Sequence, residues 1–374
     1  MLAALAIAAL TAAYMVLGRA GMSRLREERK TLIEPSPLPM VSVIIPAYDS
    51  QKTISDALKS ARALDYPRKE IIVVNDSPDS TPAIARSYGA RVIQNRSRTG
   101  KPASLNRATE AAKGELLFVL DADTAVSGSA LRRMVPWFSK SDVAAVMPRY
   151  SLKNRSRIAG LASMENSFTF ALLRVHAFLR GTVGFRGCSV VIRRDLLKKH
   201  PWPETLMEDN HLSATLSSMG YRIIWEPLAS TRTTEPETVQ ELKRQKRRWG
   251  EGAYLAFRKH WRFYMKSPQF LLFFLPYFIL GIFTALLLIA FLLSPLLFPA
   301  LSVQMLEDLV MIFVAMYFHT LIFLYLGGGK LLPLETMRFM LFYFPLATVY
   351  YFRGMLSGIK RRRRGRAELH FRHW

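Results

Sequence analysis

One cysteine in 374 residues leaves nothing to cross-link, which excludes a disulfide scaffold and a zinc site built from thiolates. Acidic residues are scarce too: 28 Asp and Glu stand against 52 Lys and Arg, a net charge of +24. Such an excess implies an anionic partner, whether nucleic acid, a lipid surface or a phosphorylated substrate. The Gly-x-x-x-x-Gly-Lys-Ser/Thr spacing of a phosphate-binding loop is missing, and so is any aromatic-basic recognition module or helix-turn-helix pattern. Nucleic acid is therefore not an expected partner, and a membrane-tethered nucleic-acid binder is the least favoured reading. A disordered chain is excluded as well, because 50% of the residues are apolar.

Those apolar residues are concentrated where charge is absent. Phe270 to Leu293 and Leu309 to Leu326 are charge-free runs, the second interrupted only by His319. Each reaches the ~20 residues that a helix needs to cross a bilayer. Met1 to Leu17 is a third such run, with Arg19, Arg24, Arg26 and Lys30 after it rather than before it. A secretory signal carries its positive charge first. The order here predicts a retained anchor with Met1 outside and the following chain in the cytosol. Phe339 to Phe352, between Arg338 and Arg353, is short for a full span and is expected to be interfacial or partly inserted, the alternative being a crossing with both arginines snorkelling. The Lys360–Arg366 cluster after it suits the anionic cytosolic leaflet. The expected organisation is an anchor (1–18), a cytosolic domain (39–249), an amphipathic interfacial segment (250–267), a C-terminal membrane region (268–357, with spans 270–293 and 309–326 and the segment 339–352) and a basic cytosolic tail (358–374).

Between the anchors, strand and helix patterns alternate. Val41–Pro46, Glu70–Asp76, Ala90–Gln94 and Gly114–Asp121 read as strands, with helices over Thr53–Leu64, Ala83–Tyr88 and Lys101–Lys113. The alternation predicts an α/β, Rossmann-like, mostly parallel sheet that binds ligands beyond the carboxyl ends of its strands. Asp76 closes one buried strand and Asp121-Ala122-Asp123 another. A lone Asp at a strand end is commonly just a turn residue. Two such ends, one with carboxylates at i and i+2, instead suggest a divalent cation and the diphosphate it neutralises.

This arrangement resembles the membrane-bound family 2 glycosyltransferases, the group of cellulose, chitin and hyaluronan synthases, over about residues 41–249. The resemblance implies a GT-A catalytic domain flanked by transmembrane helices, and a nucleotide-sugar held through Asp76 and through Asp121 and Asp123 with Mg²⁺ or Mn²⁺. It matches Met207-Glu208-Asp209 to the family's Thr-Glu-Asp, so Asp209 is the expected base, with Glu208 beside it. Gln245-Lys246-Arg247-Arg248-Trp249 matches Gln-x-x-Arg-Trp in full, and Phe185-Arg186-Gly187 matches a Phe-x-Gly segment. Asp49, in Pro46-Ala47-Tyr48-Asp49, departs from the usual Pro-x-x-Asn-Glu, and Lys101 resembles a position near the nucleotide.

The residues make chemical sense in these roles. Gln245, Arg248 and Trp249 share one helical face. There the guanidinium can clamp a diphosphate and the indole can stack on an acceptor sugar, beside Gly187. A basic amphipathic helix on a membrane accounts for the same charges. Likewise, an acid at Asp209 could serve only as a helix cap. His211 is expected to face solvent, His176 and His319 to be structural, and Cys188 to be a small buried residue. The implied function is inverting, metal-dependent transfer from a nucleotide-sugar, UDP-linked, to an acceptor hydroxyl at the plasma membrane, building a polysaccharide. The alternative is single-sugar transfer to a lipid or polyprenyl-phosphate carrier. Anionic lipid is an expected partner, and the few spans make a slim channel unless protomers form a homo-oligomer.

Overall fold

A computed structural model describes residues 2–182, 184–271, 303–330 and 332–363, with isolated positions between 275 and 293. Most of the expected span 270–293 and the end of the basic tail lie outside the described residues. An eight-stranded sheet runs in the order β3-β2-β1-β4-β7-β6-β8-β5. Its strands are β1 (Val41–Ala47), β2 (Lys69–Asn75), β3 (Arg91–Gln94), β4 (Leu116–Leu120), β5 (Ala125–Val126), β6 (Val143–Leu152), β7 (Ser189–Arg193) and β8 (Arg222–Thr233). β3, β2, β1 and β4 are parallel, as the alternating pattern requires. The second half departs from it: β7 is antiparallel to both β4 and β6, and β6 and β8 are parallel again.

β1 reads as a continuous apolar run because both of its faces are covered. Val43 and Ile45 join Ile54, Leu58 and Phe118 on one face. Ile44 joins Ile72, Leu105, Leu117 and Val119 on the other. The helices here are α2 (Ile54–Arg62), α3 (Thr81–Ser87), α4 (Lys101–Ala111), α5 (Ala130–Met134), α6 (Arg157–Phe178), α7 (Arg194–Lys199) and α8 (Glu208–Ser218). Each helix expected over Thr53–Leu64, Ala83–Tyr88 and Lys101–Lys113 is present with its ends within two residues of the expectation, α3 starting earlier, at Thr81.

The remaining helices form a second body of packing. α1 (Leu2–Lys30), α9 (Val239–Tyr264), α10 (Val303–Leu326), α11 (Pro333–Arg338) and α12 (Phe344–Arg363) enclose, with α6, a cluster containing Tyr14, Phe168, Phe323 and Phe339. Ala3–Lys30 and Glu307–Leu326 are long and apolar enough to cross a membrane, judged by length and composition. α1 runs well past the expected anchor and ends on the sheet domain. There Arg29 donates to both oxygens of the buried Glu226 at 3.0 and 2.8 Å, and Arg222 meets Glu28 at 2.7 Å. Segment 339–352 is helical throughout, and α12 lies along α9. Gly250 and Gly354 let the two backbones meet: a Cβ on Gly250 would sit 1.9 Å from the Tyr351 carbonyl oxygen.

Candidate active site

The carboxyl ends of β1, β2 and β4 bring the expected acids to one edge. Asp49 follows β1, is exposed, and has a φ of 48°, a left-handed conformation that Asp tolerates. Its amide donates to Ser77 Oγ at 3.0 Å. Asp76 has a different local task. Its oxygens accept from Asn95 Nδ2, from the Thr99 amide and hydroxyl, and from the Gly100 amide. It therefore shapes the turn that launches α4. Pro102 in the first turn of α4 and Gly100 at φ 87° fix that start, and Lys101 is delivered into the site.

Lys101 is the hub of the acidic cluster. Its ammonium lies 2.7 Å from Asp121 Oδ1 and 3.6 Å from Glu208 Oε1, and it donates to the Gly187 carbonyl at 3.2 Å. Burial alone would lower its pKa, yet Asp121 and Glu208 hold it above the ordinary value. Asp123 is pushed up to about 6, by burial first and then by repulsion from Asp121. Glu208 is pushed up to about 7, again by burial, with Lys101 opposing and Asp209 reinforcing the shift.

Asp209 sits in the first turn of α8, where the helix dipole favours an anion. Its Oδ2 accepts the Gly187 amide at 2.8 Å and its Oδ1 the Asn210 amide at 2.8 Å. The fit at Gly187 is close: a Cβ there would stand 3.2 Å from Asp209 Oδ2 and 3.4 Å from Glu208 Oε1, so a larger residue would make these side chains yield by a few tenths of an ångström. Asp209 is half-buried and Glu208 buried, so of the two Asp209 faces the open side.

α9 supplies the last wall, and a capping box of Thr238 and Glu241 sets its start. Burial lowers the Arg248 pKa against the opposing pull of Glu208, Asp209 and Asp121, whose charge the guanidinium feels. Gln245 Oε1 is buried without a partner among the described residues. Trp249 carries Lys246 Nζ at 4.1 Å and Arg186 Cζ at 5.4 Å from its ring centre. Lys101, Asp121, Gly187, Glu208, Asp209 and Arg248 are thus brought together.

Two expectations fail. His211 is buried at 2% exposure, not solvent-facing, because the distant end of α9 covers it, with His260 at 5.5 Å between ring centres. Cys188 is only half-buried, although burial still pushes its thiol up to about 12, which leaves it inert. The expectations also overlooked Glu165 and Glu235, which lie far apart in sequence from the motif residues Lys246 and Arg186 that they pair with, and gave Arg186 no role of its own.

Asp121 and Asp123 fit a divalent cation in donor type, since both are hard oxygen ligands two residues apart. No group of three or more ligand-type side chains converges among the described residues. The chain therefore supplies a partial set of the kind that Mg²⁺ completes with substrate phosphates and water.

A mostly parallel sheet with this acidic edge is the GT-A class of glycosyltransferase fold. Residues 42–200 match the family described as Glycosyl transferase family 2. The chain is 29% identical over 232 residues to a poly-beta-1,6-N-acetyl-D-glucosamine synthase of Staphylococcus epidermidis, covering 59% of this chain and 56% of that protein. The Staphylococcus aureus synthase of the same name is 28% identical over 279 residues, 71% of this chain and 68% of that one. Among solved structures, the mannosyltransferase PcManGT from Pyrobaculum calidifontis, in complex with GDP-Man and Mn²⁺, is similar in fold. It has a TM-score of 0.59 at 20% identity, over 96% of this chain and 99% of that one.

Proposed function

We propose that the protein transfers N-acetylglucosamine from its UDP-linked donor to a hydroxyl of a growing β-linked glycan, with inversion, at the cytosolic face of a membrane. The observation that carries this reading is Asp209, half-buried, oriented by the Gly187 amide and within the electrostatic reach of Arg248. The poly-N-acetylglucosamine synthases it resembles support the choice of sugar and of a polymer product.

In this reading Asp209 takes the proton of the acceptor hydroxyl as its oxygen bonds to the anomeric carbon. The bond from that carbon to the diphosphate breaks on the opposite side, and the electron pair leaves with the diphosphate. Arg248 and Lys101 offset the charge growing there. A divalent ion held by Asp121 and Asp123 would neutralise the diphosphate. Gln245 orients the acceptor through its unpartnered oxygen, and Trp249 stacks on the sugar. Asp49 and the turn shaped by Asp76 border the nucleotide. α1 and α10 cross the bilayer together with the expected span 270–293, three crossings that leave α9 and α12 at the cytosolic surface and the basic tail on anionic lipid.

The test is nucleoside diphosphate release by detergent-solubilised protein with a panel of nucleotide-sugars. UDP-N-acetylglucosamine with Mg²⁺ or Mn²⁺ should turn over, and EDTA should abolish it. Undiminished turnover after chelation, or in Asp123→Ala, rules out the carboxylate pair as the cation site. Product length separates the readings: a ladder on a gel supports a polymer, and a single added sugar on a lipid supports the carrier alternative.

A further inference from the structure

Two ion pairs beside Trp249 take no part in the chemistry above. Lys246 is 2% exposed, and its ammonium bonds both oxygens of Glu165, at 2.8 and 2.6 Å. The Tyr343 hydroxyl donates to Glu165 Oε2 at 2.7 Å. Arg186 meets Glu235 Oε1 at 3.4 Å, and the Asn166 amide donates to that same oxygen at 2.9 Å. Glu165 and Asn166 are consecutive on α6, so one turn of helix secures both cations that lie against the indole.

A buried ion pair is seldom worth more to stability than an apolar pair of the same size. What it gives here is placement. Burial alone would raise the Glu165 carboxyl, yet Lys246 and the Tyr343 hydroxyl hold it below its ordinary range, so the ammonium keeps a charged partner. An ammonium pinned against an indole fixes the tilt of the ring. A sugar face stacking on that ring needs it placed to within about half an ångström.

We propose that Glu165 is a positioning residue for the acceptor. It holds Lys246 against Trp249, and Tyr343, in the segment after α11, ties that geometry to the membrane-side helices. The proposal rests on the acceptor role given to Trp249. It also makes the membrane-side packing a determinant of acceptor affinity, with no part in donor chemistry.

The experiment uses the full chain in detergent, UDP-N-acetylglucosamine as donor and a β-1,6-linked N-acetylglucosamine pentamer as acceptor probe. Glu165→Gln should raise the acceptor KM by about tenfold while the donor KM stays within about twofold. Lys246→Gln should do the same, and the double variant should be no worse than either single one, because both remove one interaction. Tyr343→Phe, which leaves the ion pair in place, should move the acceptor KM in the same direction by less. It carries the test if Glu165→Gln does not fold. An unchanged acceptor KM, or donor and acceptor KM rising together with a lowered Tm, overturns the proposal. A wild-type protein that releases no nucleoside diphosphate from any donor contradicts glycosyl transfer itself, and this proposal falls with it.

Discussion

Burial separates two neighbouring carboxylates. Glu208 is 4% exposed and pushed up to about 7, whereas Asp209 is half-buried and bonded to two amides. The family resemblance put Asp209 first as the expected base, but the difference in burial and bonding between the two was not legible, because it comes from Lys101 and Gly187, on other elements. His211 was misread for the same reason: the helix period of α8 says nothing about the far end of α9 that covers it. Burial also governs His176, held at about 4 by loss of solvation. Folded protein then binds fewer protons than unfolded protein below the ordinary histidine pKa, so His176 costs nothing above about pH 6.5. Stability should fall as pH drops from about 6.5 to 4, by roughly 1.4 kcal/mol per unit for this one group, and then level off. Urea melts at several pH values should show His176→Gln flattening that limb. An unchanged acid limb would mean that the imidazole is not held neutral.

Elements with a strong local signal were legible. The apolar strands, the helix at Lys101 and the Gln245–Trp249 face follow from period and punctuation, and all appear as expected. The antiparallel β7 was not legible, because its pairing with β4 and β6 depends on contacts distant in sequence. Neither was the contact of α9 with α12, which depends on glycines opposed across two helices. Ala in place of Gly in a helix interior normally gains up to about 1 kcal/mol. At Gly250 the added Cβ would stand 1.9 Å from the Tyr351 carbonyl oxygen, so overpacking should win by about 1–3 kcal/mol. At Gly160 in α6 nothing lies within 4 Å, and the propensity gain should be kept. Gly250→Ala should therefore lower Tm and transfer together, since α9 carries Arg248 and Trp249, while Gly160→Ala should hold or raise Tm. Equal shifts in the two variants would contradict the close helix contact.

At the scale of the whole molecule, the sheet domain and the apolar helices are not joined by slack linkers. α1 enters the domain through Arg29 on Glu226, and Arg149 donates to the Gly327 and Gly328 carbonyls just past α10, at 3.1 Å each. Charge order and run length gave the two candidate spans directly, whereas the seating of α12 along α9 needed the fold. In the proposed topology α12 lies at the cytosolic surface, which puts Ser357 on the cytosolic side. In a Cys188→Ala background, a cysteine at Ser357 should resist an impermeant thiol reagent added outside intact cells and react after permeabilisation. Ready labelling from outside would overturn the proposed topology.

The most direct test of the account is Asp209→Asn, compared with wild type for transfer of labelled N-acetylglucosamine, nucleoside diphosphate binding and Tm. The amide nearly preserves the shape and can still accept a backbone hydrogen bond, but it cannot take a proton from a sugar hydroxyl. Losing a general base costs about 10²–10⁴-fold in rate, whereas losing a cap costs only about 1 kcal/mol of stability. The variant should melt within a few degrees of wild type, bind nucleoside diphosphate as well, and transfer at least about a hundredfold more slowly. If it keeps more than about a tenth of wild-type transfer, Asp209 is not the base and the proposed chemistry at this site is wrong.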